Sequence, residues 1–271
     1  MKGYRKVVDL GLSILPFEPA WYGRHGVPAA YIGHPLLDEL AALDADGHAR
    51  GSQRDQSAPA PGGPLAILPG SRAGVVRRNL PWMLDRVAEL QAMPAHKDLE
   101  VFLPHSRRDL DPLFEELLAA SPARVELVTG PLHQELSRAA AALTVSGTVV
   151  LDLLPHRLPT VVIYRLKNSR QGWMRDHILT CPWFTSVNLL ANEEVHPEFG
   201  FHGEGPTAEV TAALASALGD AAWRTKNLAG QERAARRLGS AGAVRRAARA
   251  SLELLPGLSS RGSVGENPGQ P

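Results

Sequence analysis

The chain has 271 residues, 44% of them hydrophobic, and its 29 Lys and Arg against 28 Asp and Glu leave a formal charge of +1. Such a composition gives a globular chain with room for one large or two modest domains, and the interspersed charges argue against a nucleic-acid groove. Cys181 is the only cysteine, which excludes an internal disulfide and a cysteine-cluster metal site, and no apolar run reaches the ~18 residues that a membrane span needs.

In chain order, 7–15 reads as a strand, ended by Pro16 and Pro19, which open a short helix through Trp21 and Tyr22. A second strand follows at 29–32, then Gly33, His34 and Pro35. A strand this early, with no βα unit before it, reads as the last piece of a domain whose earlier part is absent. The stretch 44–63 is rich in Gly, Ser, Ala and Pro and reads as a flexible linker. From Pro64 onward, strands at 65–68, 99–103, 125–128, 142–145 and 160–164 alternate with helices at 76–93, 109–120, 132–141 and 148–155. Val-, Leu- and Ile-rich strands separated by helices predict βαβ crossovers and a doubly wound parallel α/β sheet covered on both faces. Helices at 207–218, 221–238 and 241–255 follow, and 257–271 has the composition of a disordered tail.

Ligands of such sheets bind beyond the carboxyl ends of the strands, where Pro69-Gly70-Ser71-Arg72, Pro104-His105 and Ser146-Gly147-Thr148 fall. The apolar run 141–145 breaks at Ser146-Gly147-Thr148 and resumes with helical spacing, so a helix start there offers unpaired N–H groups to a phosphate. Asp152, in the second turn of that helix, could accept both hydroxyls of a ribose. An ordinary strand-to-helix turn capped by Ser146 or Thr148 stays open as the alternative. The planar guanidinium of Arg72 suits a diphosphate. His34 fits a turn or capping role as well as catalysis, and His105 follows a strand. Arg165 lies at a strand end, where a salt bridge to a helix is its plain reading, and Asn188 could organise a turn. Cys181 reads as a small buried hydrophobe. Basic residues mixed with Trp173, Met174 and Leu179 over 167–179, followed by Trp183 and Phe184, suit a helix on an anionic membrane surface, with packing into the core as the alternative.

Taken in series, Ile14-Leu15-Pro16-Phe17-Glu18 with Trp21-Tyr22, Gly33-His34-Pro35, Leu68-Pro69-Gly70-Ser71-Arg72, Ser146-Gly147-Thr148, Tyr164-Arg165, Asn188-Leu189-Leu190-Ala191 and Pro197-Glu198 resemble the second half of the lipid-A-disaccharide synthase family. The resemblance implies the Rossmann-like donor lobe of a B-type glycosyltransferase, with a short remnant of the amino lobe and C-terminal helices. It divides the chain into 1–43, remnant and linking elements of the amino lobe; 44–63, the linker; 64–205, the UDP-sugar-binding lobe; 206–256, the C-terminal helices; and 257–271, the tail. By resemblance, Ser71, Arg72, Ser146, Gly147 and Thr148 face the diphosphate, Asp152 the ribose, and Arg165 and Asn188 complete the donor site. The family usually has Glu a few residues after the Ser-Arg pair, where this chain has Val75 and Val76, Glu where it has Asp152, and Pro where it has Val187.

The implied reaction joins UDP-diacylglucosamine to a lipid monosaccharide phosphate, the 1-phosphate of diacylglucosamine, and releases UDP, here from an amino-truncated form. The general base is expected in the absent amino lobe. No cofactor is expected beyond the UDP-sugar substrate, no paired carboxylates or histidine cluster suggest a metal, and no nucleic-acid partner is expected. A cytoplasmic location, contact with the inner-membrane surface and a homodimer complete the expectations. The alternatives are another UDP-sugar enzyme of the same fold, such as a 2-epimerase, and a non-catalytic nucleotide-binding fragment.

Overall fold

The computed structural model describes residues 1, 3–45, 59–166 and 181–255. The chain divides into two compact units, residues 1–43 with 237–271 and residues 44–236. The stretch 167–179 and the tail 257–271 lie outside the described residues.

The larger unit is built on a six-stranded sheet. Its strands are β3 (Leu65–Leu68), β4 (Val101–His105), β5 (Glu126–Thr129), β6 (Ala141–Val145), β7 (Thr160–Arg165) and β8 (Glu198–Phe201). They are all parallel, in the order β5-β4-β3-β6-β7-β8. The chain winds outward from β3 in one direction and then, from β6, in the other, as in a doubly wound, Rossmann-like sheet. The switch point lies between β3 and β6.

Successive residues of a strand point to opposite faces, and both faces here are apolar. On one face Leu65 and Ile67 of β3 join Leu143 of β6, Leu80, Met83, Leu84 and Leu90 of α3 (Ala73–Ala92), Phe114 of α4 (Asp111–Ala119) and Leu214 of a helix at Thr207–Gly219. On the other, Ala66 and Leu68 meet Ala142, Phe102, Leu136 of α5 (Leu132–Leu136) and Leu153 after α6 (Val149–Asp152). Each fully buried Leu, Ile or Phe contributes roughly 1.5–3 kcal/mol. Two further helices of this unit, α7 (Ser186–Ala191) and α8 (Thr207–Gly219), flank β8, and α9 (Ala221–Leu238) follows. Within it, Gln91 ties the Leu99 and Arg124 carbonyls at 3.1 and 3.0 Å. Arg224 donates to the Ala140 carbonyl at 3.1 Å and to those of Ala217 and Pro59.

Several expectations need correction. The strand expected at 99–103 runs from Val101 to His105, because the Leu99 carbonyl is taken by Gln91. The helix expected at 132–141 ends at Leu136, since Ala140 already donates to the Pro64 carbonyl at 2.7 Å on its way into β6. The helix expected at 148–155 is the four-residue α6 followed by a 3-10 turn at Leu154–His156, which Pro155 and the left-handed Arg157 (φ 52°) bring to an end. Residues 59–63 of the expected linker are held to this unit through Pro59 and through Gly62, which donates to the Leu218 carbonyl at 2.9 Å. Cys181 is exposed in coil rather than buried, since it precedes Pro182 and lies on no element.

The smaller unit pairs β1 (Gly11–Ser13) with β2 (Ala29–Tyr31) in parallel and adds α1 (Glu18–Arg24), α2 (Pro35–Ala45) and α10 (Ala243–Glu253). The strand expected at 7–15 shrinks to β1, because only Gly11 to Ser13 find partners on β2. Asp38 of α2 accepts N–H groups at the start of α10, from Val244 at 2.8 Å, Ala243 at 3.1 Å and Gly242. Arg246 donates to the Ile32 carbonyl at 2.7 Å. His34 takes its capping role: Nδ1 accepts the Leu36 N–H at 3.2 Å, and burial lowers its pKa against the pull of Glu18.

Candidate functional site

At the switch point the carboxyl ends of β3, β4 and β6 surround a cavity of about 480 Å³, within the range of small-ligand sites. One wall is the turn Pro69-Gly70-Ser71-Arg72 that carries β3 into α3. Gly70 has φ 106°, and a Cβ on it would lie 2.7 Å from Val75 Cγ1, so the turn requires glycine here. Val75, where a Glu was expected by resemblance, packs against that turn and lines the cavity. Arg72 stands at the N-cap of α3 in extended conformation, and the first turn of α3 holds no acidic side chain. A 20-residue helix therefore presents its positive end here, worth ~0.3–2 kcal/mol to an anion.

The opposite wall is Ser146-Gly147-Thr148 with Asp152. The Ser146 N–H donates to the Ile163 carbonyl at 2.9 Å, extending the sheet, so this group is not open to a phosphate. The N–H groups of Gly147 and Thr148 meet no acceptor among the described residues. A Cβ on Gly147 would meet nothing within 4 Å, so the conformation does not demand glycine; the open space leaves the backbone approachable. Asp152 is the last residue of α6 rather than in a second turn, and it is the one carboxylate among the described residues lining the cavity. The long helix at this site is α3, not the helix that the sequence placed at Ser146.

The sequence reading and the structure diverge at three residues. Arg165 lies outside this cavity; its guanidinium donates to the carbonyls of Arg78 at 2.7 Å and Gly203 at 3.4 Å, in place of the expected salt bridge. Asn188 is fully buried and does not line this cavity: Oδ1 accepts from Val195 and His196, both at 2.9 Å, and Nδ2 donates to the His196 carbonyl at 2.8 Å and to Glu198 at 3.0 Å. Arg107, which no sequence motif marks, lines the cavity and donates to the Ser71 carbonyl at 3.2 Å. Its only local signal is a cation at a strand end. His105 lines the floor, its Nε2 3.1 Å from Thr129 Oγ1, and its ring packs on Phe114. Among the described residues no group of three or more His, Cys, Asp or Glu could hold a metal, and no helix is long and apolar enough to cross a membrane.

Comparison with known proteins follows the same lines. A curated lipid-A-disaccharide synthase of Chromohalobacter salexigens is 35% identical over 81% of this chain and 56% of its own length. One of Pseudomonas entomophila is 32% identical over 93% of this chain and 64% of its own. This chain therefore spans roughly three fifths of the length of these relatives. Among solved structures, an alpha,alpha-trehalose 6-phosphate synthase of Burkholderia multivorans aligns over 90% of this chain and 59% of its own, with TM-score 0.48 and 11% identity. The family model described as lipid-A-disaccharide synthetase matches residues 1–253, and the chain belongs to that family.

Proposed function

We propose that this chain binds the donor for a hexosyltransferase of lipid A synthesis, which joins UDP-diacylglucosamine to a lipid monosaccharide phosphate and releases UDP. The observation that carries this reading is the meeting of Arg72 and the start of α3 with the Ser146–Thr148 turn and Asp152 around one cavity. Departure of UDP leaves negative charge on the diphosphate. Arg72 and the α3 N-terminus stabilise charge that grows in the transition state, and such differential stabilisation is what accelerates a reaction. Asp152 accepts the ribose hydroxyls from the other wall. We place the general base in the portion of the relatives that this chain does not match, and the reaction at the cytoplasmic membrane face, where acylated substrates reside. A single carboxylate among the described lining residues favours transfer over a 2-epimerase, whose chemistry at the sugar calls for more.

Titration calorimetry tests the reading. UDP should bind the wild type, and Arg72→Ala should lose ~1.5–3 kcal/mol of affinity, the range for hydrogen bonds to charged groups. Equal affinity in both removes Arg72 from the site. The chain alone should bind UDP without forming disaccharide, and turnover should appear on adding the remaining portion of a relative. Robust disaccharide formation by the chain alone would refute the placement of the base.

A further inference from the structure

Two histidines that the proposed reaction does not use join two elements of the cavity wall. His133 lies on α5, next to Leu132, which lines the cavity. His156 closes the 3-10 turn after α6, whose Val149 and Asp152 line the cavity as well. His133 Nδ1 stands 3.0 Å from His156 Nε2, with the ring planes 17° and the ring centroids 5.3 Å apart. That centroid separation is close to the largest that a 3.0 Å contact between ring nitrogens permits, so the rings meet head-on and nearly in one plane, not face to face. Head-on nitrogens this close leave no space for a zinc ion, which needs about 2.0–2.1 Å on each side. The contact is a hydrogen bond in which one imidazole donates and the other accepts. With five residues in α5 and four in α6, neither helix holds its place by its own backbone bonds, so a side-chain tie between them matters.

Counting protons shows what such a tie does. The pair keeps its bond when neutral and, more strongly, at a charge of +1, where the donor is an imidazolium. At +2 both facing nitrogens carry a proton, so the bond is lost and two like charges oppose each other at close range. His156 is buried and cannot turn to water, whereas His133 is half-buried and can. On α5, Arg138 pairs with Glu135 at 3.7 Å and with Glu126 of β5 at 2.7 Å. Arg157, next to His156, pairs with Glu232 of α9 at 2.7 Å, and on β4 His105 Nε2 lies 3.4 Å from Asp111. The acids of α5, β5 and α9 are thereby engaged by arginines. Asp152, one turn before His156, is the carboxylate whose titration has to be separated from that of the pair.

We propose that His133 and His156 form a pH-sensitive tie between α5 and the turn after α6, which holds the part of the cavity wall that Leu132, Val149 and Asp152 supply. The first proton from solvent strengthens the tie and the second opens it, in two steps that belong to the pair rather than to either ring. Once it opens, α5 releases the turn and the cavity loses affinity for its ligand. That this ligand is a UDP-sugar rests on the donor reading of the cavity; the tie and its opening do not.

The test follows the ring nitrogens of the full chain, labelled with ¹⁵N-histidine, and its backbone amides by NMR between about pH 8 and 5. Calorimetry with UDP-N-acetylglucosamine runs over the same range; its diphosphate lacks the terminal phosphate that takes up a proton near pH 6 in UDP. The two rings should take up protons in two separate steps, and the amide signals of Leu132 and Asp152 should move with the second. Affinity should fall about three- to tenfold between about pH 7 and 5, within the hundredfold that one linked proton allows over two pH units. By reciprocity, saturating UDP-N-acetylglucosamine should move the second step to lower pH. His133→Gln, which keeps a hydrogen-bonding group and does not titrate, should hold the affinity level across the range. Independent one-step titration of the two rings, or amide signals that ignore the second step, would overturn the proposal. So would an equal slope of affinity in the wild type and His133→Gln, which would belong to Asp152. Two-step rings and moving amides, with UDP-N-acetylglucosamine bound at no pH, would sink only the donor reading.

Discussion

Arg107 reaches from the end of β4 to the turn after β3 and donates through Nη1 to the Ser71 carbonyl at 3.2 Å. Asp109 grips the same guanidinium from the other side, at 2.8 and 2.7 Å, which raises the pKa of Arg107 and lowers that of Asp109. The pair is exposed, so it steadies the turn more than it stabilises the fold. Arg107→Ala should therefore weaken UDP about two- to fivefold with an unchanged melting temperature. Calorimetry and a thermal melt check this together, and an unaltered UDP affinity would show that the turn needs no tether.

Asn188 is expected to act on stability. Its side chain satisfies two N–H groups, one carbonyl and one carboxylate, all within 188–198. Asn188→Ala strands buried partners at ~1–3 kcal/mol each, so a loss of ~2–5 kcal/mol is expected in urea denaturation. UDP affinity of the fraction that stays folded should hold. A fully stable variant that loses UDP would return Asn188 to the donor site.

His196 sets an acid limb. It is wholly buried, and that burial takes its pKa from 6.5 down to about 3, with the Thr160 backbone opposing weakly. The unfolded chain takes up a proton below 6.5 that the native chain refuses until about 3, so stability is full above 6.5 and falls through that window. The loss should reach about 2 kcal/mol near pH 5. His196→Phe should flatten the limb. Asp38, whose carboxyl is held below its ordinary 3.8 by the Val244 and Gly242 N–H groups, contributes stability that is lost only as pH falls lower still. Denaturation midpoints between pH 7 and 4 distinguish the two, and an identical slope in His196→Phe would refute the assignment.

Within the smaller unit, Leu12, Ile14, Phe17 and Trp21 are 37–43% exposed and Val7 is 79% exposed, beside a parallel sheet of two strands. Apolar side chains so close in sequence form a surface that favours association, and a pair of strands has little stability of its own. Light scattering should show concentration-dependent association of the purified chain, reduced in an Ile14→Ser, Phe17→Ser double variant. A monomer at all concentrations would refute it.

The apolar run Leu65 to Leu68 between Pro64 and Pro69-Gly70, and the run Ala141 to Val145 before Ser146-Gly147-Thr148, were enough to place two buried strands and the turns beyond them. The alternation of such runs with helices was enough for a parallel sheet, and the motif series for the family. Period and turn chemistry belong to contiguous residues, so the sequence alone carries them. β8 was not legible, because Glu198-Phe199-Gly200-Phe201 is short, contains glycine and becomes a strand only when β7 pairs with it. Nor was α2 assigned, although Asp38 within it anchors α10 from more than 200 residues away. Ser71, Arg72, Ser146 and Asp152 come together because strand order sets β3 beside β6. Burial turned Asn188 inward, and among the described residues it left Asn79 Oδ1 without a donor. Sequence distance holds no record of which carbonyl or cavity a side chain meets; the crossing of the chain between β5 and β6 decides it.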